Sequence, residues 1–447
     1  MFNNPIYPLL LLLIAFVPTQ GYFSYYGFIL VTIVLLYFLA IFIRKSSKNE
    51  IYQTHPFFFI GILFFSAISY QGIFHNIDAR VMVKLLVLGL TGYIFISQFI
   101  LKKNTSIIFL LLVYIFISVF VVTNSPDPKI DVYYLLKESP MALFQGKDPY
   151  AIHYTQLYPN TSNDLGYLPS SLIYLFPFVV IFNDPRFGLI FANVISALIL
   201  YKLLKKNGYS NLLISCFLFF PQTFNILEFS YLEPMLLMFL LLFIYFFINR
   251  KLKFSFIFLG LFFSFKHNYF IYLPHILSKI VRRQSIKAIF LFFIPFIFTF
   301  IFLYQSSAMY KNITPPFINR ILIPYLPEKF ATLASQNTTP ITDKVLIPPY
   351  YQALSVPAAM RHLAPNMNVE LINKYGLILL VFFWLIILTL KLSFMDYLIA
   401  TTIVYNYFFY HSFMNNYYFL AQLILLSIIF NAGKIKFEFD SNDRLEL

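Results

Sequence analysis

Long apolar runs recur along this chain, and most of them carry no charge. They fall at about 6–18, 22–43, 56–73, 81–101, 106–123, 168–183, 187–201, 209–222, 229–248, 254–265, 268–279, 288–304, 372–390, 394–410 and 414–431. A run of roughly 18 apolar residues is long enough to cross a bilayer as a helix. Inside lipid every backbone N–H and C=O must find its partner within the protein, so only helices and closed barrels span. Barrel strands alternate apolar and polar residues, and these runs do not. The expectation is therefore an all-α fold, a polytopic transmembrane bundle of about 13 spans, some of them short or re-entrant. Charged residues make up 11% of the 447, against about 25% in soluble domains, which excludes a string of soluble domains. The 58 Phe and 34 Tyr exceed what two interfacial belts use, so most must pack inside or face lipid.

The net charge is +14, and 18 of the 32 basic residues fall in short clusters between apolar runs. Those clusters are Arg44-Lys45-Lys48, Lys102-Lys103, Lys202-Lys205-Lys206, Arg250-Lys251-Lys253, Lys279-Arg282-Arg283-Lys287, Lys391 and Lys434-Lys436. This is the positive-inside pattern, and it places the clusters in the cytoplasm without implying a nucleic-acid partner. Residues 106–123 then cross outward, 288–304 cross outward again and 372–390 return. One stretch does not thread. Four runs lie between the acidic loop and Arg250 where an odd number of crossings is needed, and 168–183 or 209–222 is the candidate for a half-deep segment. Residues 254–265 and 268–279 read as a hairpin with Lys266 and His267 at its apex. The organisation expected is 1–105 as N-terminal transmembrane segments of unassigned role, 106–431 as a membrane core with external loops 124–167 and 305–371, and 432–447 as a cytoplasmic tail. No Lys or Arg precedes Arg44, so the run at 8–17 lacks the basic flank of a signal peptide and reads as a retained helix. The single Cys216 permits no internal disulfide.

Residues 124–169 reverse the charge trend, with Asp127, Asp131, Glu138, Asp148 and Asp164 against three lysines. Acids gathered in one loop directly after an apolar run point to a reaction site at a membrane face. The segment 305–371 is the second large loop, with nine prolines that argue against long helices. A loop this long in a compact protein is usually functional. Asp131 precedes Val-Tyr-Tyr-Leu-Leu, an amphipathic pattern that places it at the start of an interfacial helix. A carboxylate there could act as general base or simply favour the helix dipole as a first-turn acid. In Gly146-Lys147-Asp148-Pro149-Tyr150 the glycine ends the helix, Asp148 and Pro149 turn the chain, and Tyr150 is placed to anchor at the interface. Tyr167-Leu168-Pro169 opens the next helix, where proline fits the first turn.

Taken together, an apolar span, an Asp131, a Gly-x-Asp-Pro-Tyr and a Tyr-x-Pro opening a helix resemble the first external loop of the GT-C superfamily, polytopic glycosyltransferases that use polyprenyl-phosphate-linked sugars. The branch most similar contains polyprenol-phosphate-mannose-dependent mannosyltransferases, whose loop commonly reads Asp, Gly-x-Asn-Pro-Tyr, Tyr-Pro-Pro. Here Asp148 stands for the Asn and Leu168 for the first Pro. The resemblance implies that Asp131 is the general base for transfer with inversion, and that donor and acceptor meet at the non-cytoplasmic face of a multi-pass cell-envelope membrane protein. It implies a polyprenyl-phosphate-linked sugar donor, a lipid or glycan acceptor, and no cofactor or metal. Asp148 and Tyr150 would shape the loop. Lys266 resembles a lysine that follows a short apolar helix in this branch. It could hold the donor phosphate together with His267, His411 and either Arg320 or Arg361, or it could snorkel to the surface. Glu228 and Glu233 are candidates because an acid at membrane depth is costly, yet both could be exposed at the face. His411 could belong to a plain connecting loop. Two rival classes stay open: a transporter or flippase of a lipid-linked saccharide, and a polysaccharide polymerase or ligase. A transporter should bury charges within several spans and show internal repeats.

Overall fold

A computed structural model describes residues 5–44, 55–152, 154–155, 165–204, 208–283, 286–297, 299, 301, 353–390, 392–409 and 412–435. Among these residues the chain is helical, and its one extended pairing is an isolated bridge between Tyr22 and Ala353. The helices are α1 (Ile6–Phe16), α2 (Tyr25–Arg44), α3 (Pro56–Ser69), α4 (Ile77–Phe95), α5 (Ile107–Asn124), α6 (Asp131–Phe144), α7 (Pro169–Phe182), α8 (Arg186–Leu204) and α9 (Ser210–Leu218). They continue as α10 (Thr223–Glu228), α11 (Glu233–Ile248), α12 (Leu252–Phe263), α13 (Leu273–Arg283), α14 (Ile286–Phe293), α15 (Val356–Leu363), α16 (Val369–Thr389), α17 (Phe394–Phe408) and α18 (Met414–Ala432).

Among the described residues five helical stretches are long and apolar enough to cross a membrane: Tyr25–Phe42, Ile77–Ile100, Ile107–Asn124, Arg186–Leu204 and Leu371–Thr389. Most of the remaining apolar runs form shorter helices, such as α1, α3, α7, α11 and α12, while α18 keeps 19 residues. α9 has nine residues, about 14 Å at ~1.5 Å per residue, under half of a ~30 Å hydrocarbon core. The other run suspected of not crossing, 168–183, forms α7 of 14 residues, so both suspects fall short of a full span. The expected arm at 268–279 is instead a 3-10 turn, His267–Tyr272, followed by α13. Ordinary capping chemistry sets several ends. The Asn76 side chain accepts from the Ala79 N–H at 2.8 Å at the start of α4, and His55 caps α3 with Pro56 at its first turn. Both satisfy N–H groups that a helix start leaves open.

The chain divides into two compact units: Met1–Asn124 with Val194–Ile226 and Ile347–Asp443, and Ser125–Asn193 with Leu227–Leu346 and Arg444–Leu447. In the first, α1 packs on α2 and α18, α3 on α4 and α9, and α17 on α2, α16 and α18. In the second, α6 packs on α7, α11 on α12, and α12 on α14. The last contact is a close one. A Cβ added to Gly260 would lie 2.2 Å from the Phe292 carbonyl oxygen, so no side chain fits there. The second unit also holds a small core of Leu135, Tyr150, Tyr154, Leu165, Leu168 and Leu172, with Tyr167 and Phe270 against it. That core ties the two ends of the acidic loop to the apex of the α12 segment.

Candidate functional site

The acidic loop begins at the end of α5 and reaches α6 through extended Ile130. Asp131 is the first residue of α6, and its carboxylate accepts the Val132 N–H at 2.8 Å. The side chain is open to solvent. Even so, the protein around it desolvates the carboxyl and raises its pKa above the ordinary 3.8, with the local backbone N–H groups pulling the other way. The surface just before it is tied locally, as Asp127 accepts from both Lys129 and Tyr134.

α6 stops by a Schellman arrangement. The Lys147 N–H reaches the Ala142 carbonyl and the Gly146 N–H reaches Leu143, both at 3.1 Å, with Gly146 at φ +72°. The Asp148 carboxylate then accepts the Tyr150 N–H at 2.9 Å, an Asx turn. Tyr150 is 3% exposed, and its hydroxyl donates to the Tyr167 carbonyl at 2.8 Å. It is therefore an internal post and not the interfacial anchor expected of it. Asp148 and Tyr150 together join the end of α6 to the start of α7. Tyr154 adds a second strut by donating to the Pro149 carbonyl.

Residues 165–168 lie against the apex after α12. The Leu168 N–H donates to the Phe265 carbonyl at 3.1 Å, and His267 hydrogen-bonds the Gly166 backbone. A proline at 168 could not make the first of these bonds, which gives a physical reason for leucine at that place. Next along the apex, Lys266 donates to Glu233 at 3.1 Å, with side-chain exposures of 10% and 0%. Lys266 therefore does not snorkel and Glu233 is not exposed at the face. Glu233 sits in the first turn of α11, where the helix dipole favours a negative charge. Burial, and then the neighbouring Lys266 charge, push the His267 imidazole down to about 4. At neutral pH it can donate a hydrogen bond but supplies no positive charge.

Tyr167 joins the parts. Burial raises its phenol pKa well above the ordinary 10, and the nearby charges of Glu233 and Asp131 raise it further, as does Tyr231. The phenol thus stays protonated. Asp131, Tyr167, Glu233, Lys266 and His267 form one neighbourhood in the second unit. It offers a carboxyl of raised pKa, a neutral hydroxyl, a neutral imidazole and an ammonium held on a carboxylate.

Other expected members lie elsewhere. Glu228, fully buried, ends α10. Arg361 belongs to the first unit, where its guanidinium donates to the Met367 carbonyl at 3.0 Å and to Pro365. Arg320 and His411 lie outside the described residues, as does most of the 305–371 loop. Among the described residues no three His, Cys, Asp or Glu side chains gather as a metal-ligand set.

The sequence reading missed a second charged centre. Asp184 and Arg186 pair at 2.5 Å with Arg186 fully buried. Arg186 also donates to the Ser125 hydroxyl at 2.9 Å and lies 5.0 Å above the Tyr133 ring. The available signal was an acid and a base on either side of Pro185, between two apolar runs and outside every basic cluster. Comparison with protein-family models, with curated proteins and with solved structures gave no match.

Proposed function

We propose that the chain is an integral-membrane glycosyltransferase of the GT-C type. It would move a mannose-like sugar from a polyprenyl-phosphate donor to a lipid or glycan acceptor. The observation that supports this reading is the seating of the loop that follows Asp131 on the apex that carries Lys266 and His267, through the Leu168 N–H to Phe265 bond and the core of Leu135, Leu168, Tyr167 and Phe270, beside the Lys266–Glu233 pair. The loop motif and the lysine-bearing apex lie far apart in the sequence and meet in the second unit.

The chemistry follows from those groups. The acceptor hydroxyl gives its proton to the Asp131 carboxylate as its oxygen bonds to the sugar C1. The bond from C1 to the phosphate oxygen breaks, and its electron pair leaves with the polyprenyl phosphate. Attack opposite to the leaving group inverts the centre. A carboxylate pKa raised by desolvation makes Asp131 a stronger base than an ordinary aspartate. Lys266 would exchange Glu233 for the phosphate as the donor enters, and Tyr167 and His267 would donate hydrogen bonds to sugar or phosphate oxygens. In this reading the loops 124–167 and 305–371 face the non-cytoplasmic side of a bundle of about 13 spans.

One observation favours a second reading. A buried Glu233–Lys266 pair is also what a transporter of a lipid-linked saccharide would place on its path. The experiment that decides uses purified protein in nanodiscs with a polyprenyl-phosphate-mannose donor. Asp131→Asn should reduce transfer by roughly 10²–10⁴-fold. Transfer at near wild-type rate in this variant overturns the base assignment. Translocation of intact donor across proteoliposomes, with no sugar transferred, would select the transporter.

A further inference from the structure

The second charged centre in this unit is built around the segment that carries Asp131. Arg186 opens α8 and is fully buried. Its Nε lies 2.9 and 3.1 Å from the two Asp184 carboxylate oxygens, and its Nη2 lies 2.5 Å from Oδ2. The Arg186 backbone N–H donates to the same carboxylate at 2.9 Å. The fork is thus locked by a side chain two residues away and does not depend on a distant element. Its remaining faces meet the loop. Nη1 donates to the Ser125 hydroxyl at 2.9 Å, and the guanidinium carbon stands 5.0 Å over the Tyr133 ring. Tyr133 closes the circuit by donating to the Pro126 carbonyl at 3.2 Å. Arg186 therefore grips the acidic loop on both sides of Asp131, at residue 125 and at residue 133. Between those grips Asp131 is exposed and held by backbone alone.

We propose that Arg186 is a positioning residue for Asp131, fixing residues 125–133 so that the carboxylate is presented in one place to an incoming acceptor hydroxyl. This rests on the reading of Asp131 as base. A planar fork stacked on an aromatic ring suits the task, because guanidinium loses little freedom on being held and offers bonds in fixed directions. A lysine would keep the charge but not the fork. A displacement of about 1 Å at a reacting group can cost on the order of 10²-fold in rate.

The test uses the full chain in nanodiscs, with Arg186→Lys, Tyr133→Leu and Tyr133→Phe. Arg186→Ala is avoided because it would leave the Asp184 charge buried without its fork. The expected result for Arg186→Lys is a folded protein with kcat lowered by roughly 10–100-fold and both KM values within about two-fold. Tyr133→Leu should follow it, while Tyr133→Phe, which keeps the ring, should fall between Leu and wild type. A second arm reads position without chemistry. In a Cys216→Ser, Asp131→Cys protein, the rate of maleimide labelling at residue 131 should change by about three-fold or more when Arg186→Lys is added. Unchanged kcat in folded Arg186→Lys together with unchanged labelling overturns the proposal. If Arg186→Lys fails to fold, an unchanged kcat in folded Tyr133→Leu overturns it instead. Full activity of Asp131→Asn would defeat the base reading alone, and the labelling arm would still decide whether Arg186 places residue 131.

Discussion

Two buried ion pairs stand in the same unit and differ in kind. Asp184–Arg186 joins residues two apart, and the guanidinium is filled on every side by carboxylate oxygens, a serine hydroxyl and an aromatic ring. Lys266–Glu233 joins residues 33 apart through one Nζ–Oε1 contact of 3.1 Å, and the lysine keeps slight exposure. The first pair is closed. An anion approaching it would have to displace a fork held by two carboxylate oxygens. The second is a point charge on a flexible stem, and an incoming phosphate can take it from the carboxylate. Breaking a buried pair leaves an uncompensated charge and costs much, and the pair with more fixed bonds should cost more.

The largest effect expected is on the closed pair. Arg186→Ala should destabilise the protein by about 3–5 kcal/mol, read as a lowered thermal midpoint in detergent. If Lys266→Ala costs as much stability as Arg186→Ala, the contrast between the pairs fails. The next effect is on the open pair. Lys266→Ala should weaken apparent donor affinity by roughly ten-fold or more, about 1.4 kcal/mol, while the acceptor KM stays within about two-fold. Lys266→Arg should restore only part, since a fork is not a point charge. Equal donor kinetics in all three proteins would make the pair purely structural.

Comparable in size is the effect of the backbone bond that seats the loop on the apex. Leu168→Pro removes the N–H donated to Phe265 and should cost about 1–3 kcal/mol along with donor use. A folded, fully active Leu168→Pro would show that the contact between 165–168 and 265–267 does not shape the site.

The smallest stability effect belongs to Asp131→Asn. The raised pKa means the folded protein binds the Asp131 proton more tightly than the unfolded chain does. Stability therefore falls as pH rises from the ordinary 3.8 through the raised value, and above it the penalty is constant. Asparagine lacks that penalty. Because the side chain is open to solvent, screening keeps the change within about 0.5 kcal/mol. Asp131→Asn should thus melt at or slightly above wild type at neutral pH while losing transfer. In the wild type, kcat/KM should decline on the acid side through a pKa above the ordinary aspartate value. A clearly lower melting point for Asp131→Asn would mark the carboxylate as a structural helix-start acid.

What could be read from the sequence was what residues settle among near neighbours. The runs of Leu, Ile and Phe without charge demand helices in lipid, and helices occupy the described chain. Asp131 opens α6, Gly146 supplies the left-handed residue that ends it, and Pro169 takes the first turn of α7. Each follows from dihedral limits and capping within a few residues. What only the tertiary structure decided was pairing at long range. Phe, Leu and Ile surround most of these helices on all sides, so no periodic polar face tells which side is buried. That is why Tyr150 read as an anchor and is a post, why Lys266 and Glu233 read as separate face residues and are partners, and why Arg186 drew no notice. A charge enclosed by protein leaves no local mark beyond its own presence. Its partners are chosen by which helices pack, through many small contacts that no short window of sequence contains.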